Sequence, residues 1–72
     1  MNLTELRQAR AAGIATVRAD DVYELLSISR ASLFRAMAAG EIPGAVRLGR
    51  RRLILVVPFT AWLLGADAEA ET

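Results

Sequence analysis

The 72-residue sequence contains no cysteine, no histidine and no lysine. Without thiols no disulfide can staple a small fold, and without thiolate or imidazole the usual structural zinc sets are excluded. The lack of histidine also removes the side chain most used for acid–base work near neutral pH, and most catalytic triads with it. No metal, no cofactor and no enzymatic activity are therefore expected. Signals for export or membrane insertion are missing too. Met1 to Gly13 holds no apolar core for a signal peptide. Leu53 to Ala66 is uncharged and follows Arg50, Arg51 and Arg52, but it is shorter than the ~20 residues a spanning helix needs and is interrupted by Pro58, Thr60 and Gly65. A cytoplasmic protein without a membrane role is expected.

What is present is apolar and cationic. Hydrophobic residues make up 54% of the chain against 24% charged, too rich a mixture for a disordered tail, and the length allows one domain. The net charge of +1 conceals a block structure. Residues 30–52 carry Arg30, Arg35, Arg47, Arg50, Arg51 and Arg52 against Glu41 alone, while Asp20, Asp21 and Glu24 precede them and Asp67, Glu69 and Glu71 end the chain. A basic centre between acidic segments marks an anion-binding face. Arginine in place of lysine suits planar, bidentate contacts to phosphate or guanine, although a GC-rich genome produces the same composition.

Local signals divide the chain into three parts. Asn2 and Glu5 have capping-box spacing and Leu3, Leu6, Ala9 and Ala12 recur at near-helical intervals, so residues 1–16 form an N-terminal arm or short helix. In residues 17–65, Asp20 is placed to cap a second helix whose apolar side is Val22, Leu25 and Leu26. Ser27, Ile28 and Ser29 form a tight turn, and Ser29 caps a third helix over Arg30 to Ala39 that Gly40 and Pro43 end. Ala45 to Leu48 alternates, Gly49-Arg50 suits a two-residue type II′ turn, and Arg51 to Val57 returns as a second strand. Pro58 opens a final helix with Phe59, Trp62 and Leu63 on one side, stopping at Gly65. Residues 66–72 read as an acidic flexible tail. The predicted class is mainly α with a small β-hairpin, ordered as a winged helix-turn-helix.

A helix that enters the major groove must be small enough for its backbone to approach and must carry one or two long donors. On the third helix Ser32, Arg35 and Ala39 lie opposite Leu33, Phe34 and Met37, which belong to the core. Arg35 suits the O6 and N7 of guanine, and Ser32 a base or phosphate. Arg30 falls on the core side and serves DNA by splaying onto a phosphate, or else pairs with Glu24. Of the wing arginines, Arg50 and Arg51 lie nearest the turn, while Arg47 and Arg52 complete the cationic hairpin. Leu53, Leu55 and Val57 are more apolar than a strand covered on one face requires. Either the N-terminal segment folds over them or copies of the chain associate on DNA.

The run from Ala19 through Arg35, with Gly40-Glu41-Ile42-Pro43 and the wing Arg47-Leu48-Gly49-Arg50-Arg51, resembles the excisionase, or recombination directionality factor, family related to MerR-like DNA-binding domains. The resemblance covers about residues 17–64. It implies a helix starting at Ser29 and Arg30 that reads the major groove, and a wing in the neighbouring minor groove. Double-stranded DNA, an integrase and neighbouring copies are the implied partners, and bending of attachment-site DNA during prophage excision is the implied role. A small winged-helix transcriptional regulator is the alternative, and a membrane-surface or protein-interaction module the second. MerR-type regulators proper add a dimerisation helix and an effector domain, neither of which stands in these 72 residues. Five positions depart from the family pattern: Ser27 replaces a common turn glycine, Arg18 a Ser or Thr cap, Leu53 and Leu55 usual polar residues, and Val57 a hydroxyl residue that could cap the final helix.

Overall fold

Asn2 starts the first helix as the sequence predicts. Its side-chain oxygen accepts from the Glu5 N–H at 2.8 Å and its own N–H donates to Glu5 Oε1 at 3.1 Å, closing a capping box. The computed structural model describes the backbone of residues 1–71 and the side chains of residues 1–65. Helix α1 covers Leu3–Ala11 and buries Leu6 and Ala9. Strand β1, Thr16–Arg18, follows and was not predicted, because three residues are too few to display alternation.

The second helix expected from Asp20 is instead a pair of 3₁₀ turns, Ala19–Asp21 and Tyr23–Leu26, and Asp20 caps neither. The reason is a three-residue apolar period. Ala19 and Val22 are fully buried and Leu25 and Ile28 pack against the same core, a spacing that eclipses on a 3₁₀ helix. The bonds Val22 N–H to Ala19 and Leu25 N–H to Val22 at 3.1 and 3.0 Å have that i to i+3 pattern. Ser27 closes the turn at φ 55, ψ 37, the left-handed conformation that a glycine takes without strain.

Helix α2, Arg30–Ala38, is capped by Ser29 and ends in a Schellman motif. Its two bonds run from the Gly40 N–H to Met37 and from the Glu41 N–H to Ala36, both 3.0 Å. Strands β2, Ala45–Leu48, and β3, Arg51–Leu55, make the predicted hairpin. Gly49 takes φ 61 and Arg50 keeps a negative φ, as a type II′ turn requires. The sheet is three-stranded and antiparallel in the order β1-β3-β2. Val17 and Ala45 lie opposite Ile54 from the two sides, and Arg47 lies opposite Arg52.

β3 stops two residues earlier than expected, and helix α3, Val56–Glu71, begins before Pro58 and continues through Gly65. The Val56 N–H finds an acceptor in the Ala15 carbonyl at 2.9 Å, so the helix starts where the residue before β1 can satisfy it. Pro58 sits in the first turn, where a missing N–H removes no helical bond. The acidic tail proposed for residues 66–72 lies outside the residues whose side chains are described. Leu33 from α2, Ile54 from β3 and Val56 and Phe59 from α3 complete the buried core with Leu6, Ala19 and Val22. The result is a winged helix-turn-helix-like fold, with a third strand and an N-terminal helix added. Among the described residues no helix is long and apolar enough to cross a membrane.

Gly44 joins these parts at φ 81. A Cβ there would lie 2.9 Å from the Leu55 carbonyl oxygen and 3.3 Å from the Phe59 nitrogen. Gly44→Ala is predicted to cost on the order of 2 kcal/mol or more, since both a backbone clash and a left-handed conformation oppose the side chain. Ser27→Gly should move the other way by about 0.5 to 1 kcal/mol, relief of strain exceeding the added entropy of the unfolded chain. Urea unfolding of both variants checks the pair of signs.

Candidate nucleic-acid interface

The exposed side of α2 is organised by its cap. Ser29 Oγ accepts from the Ser32 N–H at 3.1 Å and donates to Ser32 Oγ at 3.0 Å. Arg35 Nη2 donates to the same Ser32 hydroxyl at 3.3 Å. Three of the four recognition-helix residues singled out in the sequence, Ser29, Ser32 and Arg35, therefore form one hydrogen-bonded row, with the Arg35 guanidinium held along the helix surface.

Arg30 is placed elsewhere. Its Nε donates to Asp20 Oδ1, and Arg18 Nη2 lies 3.7 Å from the other oxygen of that carboxylate. The pairing with Glu24 is not found; Glu24 lies 3.8 Å from the Met1 amino group. The helical i to i+4 spacing also sets the Arg30 guanidinium over the Phe34 ring, 4.2 Å from its centroid. Arg52 approaches that ring from the wing, at 4.5 Å. Phe34, read from the sequence as core alone, is half-buried and presents its ring to two cations. The spacing of Arg30 and Phe34 was a usable signal. Nothing in the sequence linked Asp20 to Arg30 or Phe34 to Arg52.

The wing arginines separate by face. Arg52 and Arg47 share the side of β3 and β2 that carries buried Ile54, while Arg51 shares the other side with Leu53 and Leu55. Arg50 occupies the turn. Arg47 Nε donates to the Gly49 carbonyl at 3.2 Å, so Arg47 braces the tip of the hairpin. Between wing, β1 and α2 opens a groove of about 480 Å³ lined by Arg18, Arg30, Arg50, Arg51 and Arg52 with Asp20, Phe34 and Leu53. Five guanidiniums around one carboxylate make an anion-selective surface. Arg35 does not line this groove.

Leu53 and Leu55 are half-buried and Val57 is exposed. β1 extends the sheet along β3 and leaves the outward side of the hairpin open. Val46 and Leu48 belong to that open side, Leu48 with 67% of its surface accessible.

Comparison with known proteins gives one family. Neither the curated proteins nor the solved structures include a match to the chain. The model of the family described as prophage CP4-57 regulatory protein (AlpA) matches residues 15–57, from the residue before β1 to the first turn of α3. That span holds Arg18, Asp20, the whole of α2 and the entire wing, and exceeds half of the sequence, so the chain belongs to the prophage CP4-57 regulatory protein (AlpA) family.

Proposed function

We propose that the chain is a sequence-specific DNA-binding regulator that sets α2 in the major groove and the β2–β3 wing against the adjacent minor groove. The observation that carries this reading is the hydrogen-bonded row Ser29, Ser32 and Arg35 on the exposed side of α2, beside a groove walled by five arginines. Small side chains with one long donor let a helix approach base edges closely. Arg35 is the base reader in this scheme, directed at guanine. Arg50 and Arg51 meet the minor-groove backbone, and Arg30 and Arg52 meet phosphates from the groove wall. The family's description as a prophage regulatory protein supports regulation as the purpose of binding.

A second reading is favoured by the open apolar side of the hairpin. Val46 and Leu48, continued by Leu53, Leu55 and Val57, would be covered if copies sat side by side on DNA. Together with the excisionase resemblance, this suggests an accessory factor that bends attachment-site DNA and recruits an integrase. Recovery of bound genomic fragments separates the two. Isolated promoter sites support the regulator, while closely spaced repeats beside an integrase gene, filled cooperatively, support the excision role. No enrichment over random DNA defeats both.

Four or five arginine–phosphate contacts predict that the logarithm of the binding constant falls with the logarithm of salt concentration at a slope of about −4, from roughly −0.9 per contact. Titrations at several salt concentrations measure it, and a flat response removes the arginine footprint. Arg35→Ala should cost on the order of 1 to 3 kcal/mol on the preferred site and relax sequence preference, whereas Arg50→Ala should weaken preferred and random duplexes alike. Equal losses on both duplexes for Arg35→Ala would remove it as the base reader.

A further inference from the structure

We propose that Phe34 is a positioning residue: by carrying the guanidiniums of both Arg30 and Arg52 it fixes the wing relative to the recognition helix and sets how much the wing contributes to binding. The proposal rests on the DNA-binding reading of α2 and the wing, and goes beyond it by naming what holds the two contact elements in register.

The need for such a support follows from the topology. β1 accompanies β3 only along Leu53 to Leu55. Beyond that the hairpin is a two-stranded ribbon, and every residue from Val46 to Arg52 is exposed. Two strands alone are marginal in water, so the direction of the tip depends on what it rests against. Arg52 is the residue common to the groove of about 480 Å³ on one side and a smaller one of about 210 Å³ that reaches Met37 and Ala38 of α2. It stands as the strut between the two openings.

Its electrostatic surroundings point to the ring. No carboxylate among the described residues lies within 4.0 Å of Arg52, and its cross-strand neighbour is another cation, Arg47. The negative face of Phe34 is the favourable partner left to it. Arg30 is held from behind by Asp20, which also draws in Arg18. A chain of contacts thus runs from β1 through Arg18, Asp20, Arg30 and Phe34 to the wing at Arg52. A leucine at position 34 would fill much of the same apolar space, but it has no quadrupole to offer either guanidinium.

The test is a double-mutant cycle in the full chain. Phe34→Leu, Arg52→Gln and their combination are titrated against a bound genomic duplex, and the arginine Nε–H resonances are recorded on the free proteins. Phe34→Leu should weaken binding about threefold to tenfold, as the loss of one or two exposed cation–π contacts implies. In its background Arg52→Gln should cost a smaller factor than in the wild type, its phosphate contact remaining while the positioning part is already lost, and the Arg52 Nε–H signal should move once the ring current is gone. Phe34→Tyr should restore binding and the signal. The proposal is overturned if Arg52→Gln costs the same factor in both backgrounds, or if the signal stays in place. Should Phe34→Leu fail to fold, Arg52→Gln decides: displaced Phe34 ring protons and wing amides support the strut, and unchanged ones overturn it. A wild-type chain that binds no duplex ends the DNA reading and the positioning role together, whereas firm binding with an additive cycle ends the positioning role alone.

Discussion

The arrangement of this protein depends on one buried residue, Ile54. It sits on the central strand with Val17 opposite it on one side and Ala45 on the other, and none of its surface reaches solvent. Because side chains alternate along a strand, burying Ile54 commits its neighbours two residues away to the same side. Val56 enters the core as α3 begins, and Arg52 is delivered toward Phe34. A slip of one residue would turn Leu53 inward and carry Arg52 off the helix. Hydrophobic burial in the core therefore dictates where the cationic groups of the surface stand.

That arrangement is electrically costly in isolation. Arg47 and Arg52 face each other across the hairpin, a pairing that destabilises a sheet, and the groove beside them gathers five guanidiniums around Asp20. Exposed ion pairs such as Arg30 with Asp20 contribute little to folding, so the core must offset the repulsion. Local rules are broken most often where a molecule meets its ligand. On the proposed DNA-binding reading, the cationic groove and the Arg47–Arg52 pair, which the Phe34 ring and the Gly49 carbonyl relieve only in part, belong to one such place.

Legibility in the sequence followed the length of each signal. The capping box at Asn2, the Ser29 cap, the stop at Gly40 and the Gly49-Arg50 turn all have strict local chemistry, and all stand where their residues predicted. The strained Ser27 was visible as a departure from a turn that prefers glycine. β1 escaped because three residues carry no period, and the 3₁₀ turns because Val22, Leu25 and Leu26 also suit one side of an α-helix, whereas the residues that meet the core, Ala19, Val22 and Leu25, recur every three. The site was half legible for the same reason. Ser29, Ser32 and Arg35 are neighbours along one helix, so their row could be drawn in advance. Asp20 meets Arg30 across a turn, and Phe34 meets Arg52 across the fold, and no local pattern announces a contact between distant segments.

On the proposed DNA-binding reading, the shortness of α2 has a consequence for information. α2 is nine residues long and offers one long donor, Arg35, on a row of small side chains. A reader that discriminates few base pairs would meet acceptable words often by chance, because a genome supplies a vast excess of such decoys. For a reader built this way, the tightness of one encounter says little about where it acts. Meaning has to be written into the DNA, in how densely and at what spacing the short words recur.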